Sequence, residues 1–270
     1  QNPDGKVIDF IPQLAAVDGT NLSASLSRGG QAFSQTDPDN ALNKNPYLDV
    51  FTTHLYGTVG IGTDENKLYH TGDFSRAPLD YTKDGSKYPE YLTRYKLWQA
   101  EFMNQDTADG SAGAYTQRYG NQNINDSVRW SNLLTNMFTS NPGFNGFVWW
   151  SMWDSNGADG SDLIRFVTNN SQQEPGRIST LTGEYRLFKR FYGYGHFSRF
   201  MNPGDVRFDV TRVPAEDLNV VAFKNPTNND FSITVTNAKN DDSIQPLEFT
   251  LKDFPAGTTS VTVFRTSGSE

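Results

Sequence analysis

Three short apolar runs, each ending in residues able to do chemistry, set the frame for this chain: Val50-Phe51-Thr52-Thr53, Lys96-Leu97-Trp98-Gln99-Ala100 and Gly146-Phe147-Val148-Trp149-Trp150. Runs of this length, bounded by polar or turn residues, read as buried strands. Between the last two, Trp130, Leu133, Leu134, Met137 and Phe138 recur at the spacing of one helix face. A cap at Asn125 or Asp126 precedes them and the stop Asn141-Pro142-Gly143 follows. Strand, helix and strand in that order make a crossover, and the alternation of β–α units extends from about residue 45 to 200. A further strand is expected at residues 22–26, in a Ser-rich stretch.

After Pro203-Gly204 the texture changes to closely spaced strands with period-two alternation, expected at residues 206–210, 220–223, 231–235, 247–251 and 261–264. Turn clusters such as Asn225-Pro226-Thr227-Asn228-Asn229 and Pro255-Ala256-Gly257 separate them. The fold class is therefore α/β followed by all-β, with residues 1–200 in the first module and a β-sandwich domain over 201–270. A length of 270 residues accommodates one large domain or two smaller ones.

Composition narrows the function classes. The 23 basic and 31 acidic residues leave a net charge of −8, with no long basic run, which argues against a nucleic-acid or anionic-membrane binder. No apolar stretch approaches the length of a membrane span, and Gln1 reads as a processed or truncated start. The absence of Cys excludes thiol catalysis, Cys-zinc sites and disulfides. Sequons at Asn21, Asn125 and Asn169 are sites where a secreted eukaryotic chain could carry glycans. Aromatic residues make up 13% of the chain, and such rings serve both as core filler and as stacking faces for sugars.

In a (β/α)8 barrel the functional residues follow the C-terminal ends of strands. Glu101, directly after Leu97-Trp98-Gln99-Ala100, is the nucleophile candidate by position; the competing reading is a salt-bridged structural Glu at a strand end. His54 and Tyr56 stand two apart, on one face of an extended segment, where their polar tips could meet Glu101 or a sugar hydroxyl, or could be satisfied within the fold. Trp150 offers a flat face for a pyranose ring, whereas Trp149 and Trp153 are expected to be packing residues. The oxygen-rich segment from Asp154 to Asp162 departs from the EF-hand spacing at Ala158 and lacks its terminal Glu, so no metal or other cofactor is expected.

His54-Leu55-Tyr56-Gly57, Leu97-Trp98-Gln99-Ala100-Glu101, Val148-Trp149-Trp150 and especially Phe191-Tyr192-Gly193-Tyr194-Gly195-His196-Phe197-Ser198-Arg199-Phe200-Met201-Asn202-Pro203-Gly204 together resemble glycoside hydrolase family 30. The resemblance covers about residues 45–265. It implies a (β/α)8 TIM barrel fused to a side β-sandwich, and a retaining hydrolase of β-linked glycans or glycosylceramides. By the same resemblance Glu101 is the nucleophile after strand 7, His54 and Tyr56 the strand-6 pair, and Trp150 a strand-8 subsite residue. The segment from Phe191 to Phe200 is then the structural hinge from the last helix into the sandwich.

One departure matters. The family's acid/base is a Glu following Asn after strand 4, and the first of the eight Glu here is Glu65, which already lies beyond the strand-6 motif. Residues 1–200 also fall short of the about 250 of a whole barrel and hold only its strands from about 5 or 6 to 8. Retaining hydrolysis needs two carboxyl groups about 5–5.5 Å apart, one to attack the anomeric carbon and one to protonate the leaving oxygen. The expectation is an N-terminal half, on the same precursor or a second chain, supplying the other strands and the acid/base. Two readings compete with this secreted half-site: a catalytically inactive glycan-binding or structural protein on the same scaffold, and a complete enzyme taking its acid from Asp73, Asp106 or Asp109. The choice of β-glycan, and endo or exo action, stay open.

Overall fold

The structure, a computed structural model, describes residues 15–19, 25, 49–54, 95–102, 124–139, 143–150, 152–154, 163–168, 181–211, 218–228, 230–237, 246–252 and 260–268. The chain divides into two units that interleave along the sequence. The first takes Gln1–Glu65, Asp80–Phe102 and Asn141–Val148; the second takes Asn66–Leu79, Met103–Ser140 and Trp149–Glu270.

Four strands, β1 (Ala15–Gly19), β2 (Val50–His54), β3 (Lys96–Phe102) and β4 (Gly146–Trp149), form one sheet in chain order. β2 runs parallel to both β1 and β3. Val50, Phe51, Thr52 and Thr53 are all buried. A strand covered on both faces has no polar side to present, which is why its sequence reads as a continuous run. On β3, Leu97 and Gln99 are buried while Lys96 is exposed. The approach of β4 to β3 is set by Asn145: its backbone N–H donates to the Leu97 carbonyl at 2.8 Å, and its Oδ1 accepts from the Leu97 N–H at 2.9 Å. At Gly146 a Cβ would lie 2.8 Å from Cδ1 of the Trp98 indole, so only glycine lets this strand start so close to the ring.

The second unit is built around α1 (Ile124–Thr139) and α2 (Lys189–Ser198). Trp130, Leu133, Leu134, Met137 and Phe138 are buried as their spacing predicts, and the residues between them are buried as well. A helix enclosed all round must hide polar groups too. Thr135 Oγ1 does so by donating back to the Ser131 carbonyl at 3.0 Å. The two helices touch at small residues: a Cβ at Gly193 would overlap Ser127 Oγ and lie 3.1 Å from Ser131 Oγ.

Phe138 stacks on Phe197 of α2 at 6.1 Å and meets Phe223 edge-on at 5.7 Å. The helices thereby share a core with the antiparallel sheet β10-β9-β8, formed by β8 (Val206–Phe208), β9 (Leu218–Lys224) and β10 (Phe231–Asn237). The aromatic segment from Phe191 to Phe200 is therefore largely α2 itself. His196 Nε2 lies 3.0 Å from Thr266 Oγ1, and Thr234 Oγ1 donates to the His196 carbonyl at 3.3 Å. Burial lowers the pKa of the His196 imidazole and raises that of the Tyr194 phenol. A third sheet, β5 (Trp153–Asp154), β6 (Ile164–Thr168) and β7 (Leu181–Leu187), pairs β5 parallel and β7 antiparallel to β6.

Several sequence expectations change. Ser25, the described residue of the strand expected at 22–26, is helical and buried, and its Oγ accepts the Gly19 N–H at 2.9 Å. Residues 247–251 and 261–264 are not strands. Val261 and Val263 are exposed, and Phe264 turns instead to Phe200, 4.9 Å away, and to the Arg199 guanidinium. Alternation supplies the two faces of a strand but not the hydrogen-bonded neighbour that a strand requires. Helix α1 begins at Ile124, which puts Asn125 and Asp126 in its first turn rather than at its cap.

Candidate active site

The site candidates sit where the parallel ladders of the first unit go out of step. Along β2 and β3 the partners run Val50↔Lys96 to Thr53↔Gln99, and regular pairing would then set His54 opposite Ala100. Instead the register slips by one and His54 pairs with Glu101. Because side chains alternate across a strand, a one-residue slip changes which of them share a face. Gln99, fully buried, braces the irregularity: its Nε2 donates to the Glu101 carbonyl at 2.6 Å, and its Oε1 accepts the Glu101 N–H at 3.3 Å. The amide thereby bonds both backbone groups of the residue just past the slip.

A second slip lies on the other side of β2, between Ala16↔Phe51 and Gly19↔Thr53. It contains Asp18, whose φ of 47° is in the left-handed region. Asp and Asn tolerate that region better than other side chains. The Asp18 N–H donates to Thr52 Oγ1 at 3.1 Å. The two slips bring three side chains together. His54 Nε2 lies 3.0 Å from Asp18 Oδ1 and 3.9 Å from Glu101 Oε2. The His54 side chain is only 12% exposed, that of Glu101 32% and that of Asp18 58%, so the cluster runs from an enclosed imidazole out to solvent. A carboxylate with this access can be reached by a ligand and is still held by its neighbours.

The structure thus brings His54 and Glu101 together. Tyr56, the third polar candidate, lies outside the described residues. Trp150, in the second unit and directly after β4, is 52% exposed. Trp149 is buried as expected, with its ring edge-on to Trp130 at 4.2 Å. Trp153 is a correction: expected in the packing, it is exposed and rests one edge on Phe166. The sequons at Asn21 and Asn169 and the segment 155–162 fall outside the described residues. Among the described residues no cluster of His, Asp or Glu has the makings of a metal site, and no helix is long and apolar enough to cross a membrane. Asp18 was missed by sequence reasoning. The signal available was Asp18-Gly19, a turn dipeptide directly after the short apolar run Ala15-Ala16-Val17.

No family model matches the chain. Among curated proteins it is 27% identical over 177 residues to the glucuronoxylanase XynC of Bacillus subtilis, a match covering 66% of this chain and 30% of that protein. A second glucuronoxylanase XynC, of Bacillus subtilis strain 168, is 28% identical over 183 residues with the same coverage. The resemblance to glycoside hydrolase family 30 is borne out. The chain spans about 30% of the length of the curated relatives it matches. Among solved structures it is similar to a GH30 endoxylanase from Clostridium papyrosolvens C71, at a TM-score of 0.42 and 18% identity over 83% of this chain and 41% of that one. It is also similar to the family 30 subfamily 8 xylanase Xyn30A from Clostridium acetobutylicum, at 0.41 and 19% over 80% and 44%.

Proposed function

We propose that this chain carries the nucleophile side of a retaining glycoside hydrolase site acting on a β-linked glycan, with xylan the first substrate to test. The observation that carries the reading is the register slip that sets Glu101 opposite His54, with the carboxylate braced through its backbone by Gln99 and still open to solvent. The names of the sequence relatives, both glucuronoxylanases, support the choice of xylan. Glu101 attacks the anomeric carbon to form a glycosyl-enzyme intermediate, His54 and Tyr56 position it, and Trp150 is a sugar-stacking residue on its own account.

The sheet order β1-β2-β3-β4, with chain neighbours as sheet neighbours, supports reading these strands as the last part of a (β/α)8 barrel, with a β-sandwich module over 201–270. The acid/base then comes from an N-terminal half, in the same precursor or a second chain, and the protein works outside the cell. The order of the Glu residues favours one alternative, a glycan binder without chemistry. An acidic residue after strand 4 of the N-terminal half decides for hydrolysis, and a non-acidic one for binding.

The test is Glu101→Gln in the full-length protein, assayed for release of reducing sugar from xylan. A loss of several powers of ten in turnover, with xylan binding retained, is expected. Near-normal turnover would remove Glu101 from the chemistry.

A further inference from the structure

We propose that Asp18 is a substrate-binding residue that accepts a hydrogen bond from a ring hydroxyl of the same sugar that Glu101 attacks; the inference rests on reading Glu101 as the nucleophile. Asp18, His54 and Glu101 stand at the C-terminal ends of β1, β2 and β3, which lie side by side and parallel. That end of adjacent parallel strands is where ligands are met. The Asp18 side chain is the most open of the three, at 58% against 32% for Glu101 and 12% for His54. An exposed ion pair is commonly worth little, so the approach of Asp18 to His54 does not by itself account for the residue. The distances then limit what the two carboxylates can share. Asp18 Oδ1 and Glu101 Oε2 lie 3.0 and 3.9 Å from one atom, His54 Nε2. A single sugar ring bridges that range: attack holds the anomeric carbon about 3–3.5 Å from Glu101, and a hydroxyl donating to Asp18 keeps its oxygen about 2.5–3.0 Å away. An ionised carboxylate only accepts, and a sugar hydroxyl supplies the proton.

The backbone at Asp18 aims the carboxylate. The chain holds a non-glycine residue at a φ of 47°, inside a register slip, and fastens it on both sides: Asp18 N–H to Thr52 Oγ1 and Gly19 N–H to Ser25 Oγ. Glycine would meet the backbone requirement with no steric cost. Asp adds an acceptor in a fixed place beside Glu101, and a group already oriented costs a ligand less to bind. An observed backbone outlier beside a candidate site is the proper starting point for such an inference.

The experiment uses the full-length protein and three dinitrophenyl β-xylobiosides: the parent, and two in which the sugar bonded to the phenolate is 2-deoxy or 3-deoxy, these being the only free hydroxyls that sugar has. Glu101 Oε2 forms the bond to the anomeric carbon as the bond to the phenolate oxygen breaks, and the electron pair leaves on the phenolate. No proton is needed, so kcat/KM reports the binding of this sugar and the attack on it. Asp18→Gly keeps the backbone conformation and removes the carboxylate. On the parent it is expected to lose about ten- to a hundredfold in kcat/KM, the range for a hydrogen bond to a charged group. On one of the two deoxy substrates it is expected to match the wild type, because the partner hydroxyl is already gone and the two losses do not add. Asp18→Asn retains an oxygen acceptor and is expected to lose less on the parent and nothing on that same deoxy substrate.

No loss on the parent, or the same factor lost on all three substrates, would overturn the role of Asp18; an equal loss throughout is what a residue acting only through the local structure gives. The nucleophile is read separately, by labelling with the 2-fluoro analogue of the parent followed by intact mass. If wild type is labelled and Glu101→Gln is not, a failure of the deoxy comparison removes Asp18 alone. Labelling of Glu101→Gln would overturn both.

Discussion

Replacing Gln99 by Met tests whether one buried amide holds the site in register. Met has nearly the length and volume of Gln, so no cavity opens and the change removes hydrogen bonds alone. Two are lost. The 2.6 Å bond to the Glu101 carbonyl is short, and losing it withdraws a donor from a part-buried carbonyl at a cost of about 1–3 kcal/mol. The 3.3 Å contact from the Glu101 N–H is past the usual range and adds about 0.5 kcal/mol. Burying a thioether in place of an amide returns part of this, leaving a net loss of about 2 kcal/mol. At about 2–4 °C per kcal/mol for chains approaching this size, Tm should fall by about 4–8 °C. The slip would also lose its brace, and a displacement of about 1 Å at a reacting group costs on the order of a hundredfold in rate. The assay pairs a thermal melt with fluorosugar labelling. An unchanged Tm together with an unchanged labelling rate would refute the idea that Gln99 carries the register slip.

Two further outcomes follow from the packing and the titration. Gly146→Ala sets a methyl group 2.8 Å from Cδ1 and 2.9 Å from Cγ of the Trp98 indole; a loss of about 1–3 kcal/mol in urea denaturation is expected, and an unchanged midpoint would argue against the close approach of β4 to β3. For His196, burial holds the native pKa below the ordinary 6.5, so the unfolded chain takes up its proton first as the pH falls. Stability should be at its plateau above pH 6.5 and decline as the pH drops through 6.5 toward the lowered native value. Thermal melts down to about pH 5, above the range where carboxylates titrate, should show this decline, and His196→Gln should flatten it. An identical slope in the variant would assign the decline to other groups.

The parts of the fold that were legible in the sequence are those where burial leaves a one-dimensional trace. The runs at Val50, Leu97 and Gly146 became β2, β3 and β4, and the helical spacing of Trp130 to Phe138 became α1. Strand β1 escaped because Ala15-Ala16-Val17-Asp18-Gly19 is short, small and turn-like, and its place in the sheet comes from pairing with β2 rather than from its own composition. Glu101 and His54 were found because they end apolar runs. Asp18 was not, because what brings it to His54 is a slip in the ladder, and register is a property of two strands that neither strand encodes alone. The same limit explains residues 261–264, whose alternating valines had the texture of a strand but are exposed and unassigned to any sheet among the described residues.

The two slips flanking β2 also bear on how the sheet assembles. A parallel strand inserted between neighbours can, in principle, dock one residue early or late with much of its apolar contact intact. Here such a misdocked arrangement would separate His54 from Glu101 and Asp18. It would also leave the fully buried Gln99 amide facing backbone groups that no longer need it. The polar cluster thus acts as a key cut on both edges of the strand: it penalises near-miss pairings that the hydrophobic effect alone would tolerate. The residues proposed to do chemistry would then serve earlier in the life of the molecule as well, by rejecting misaligned sheets before any substrate is met.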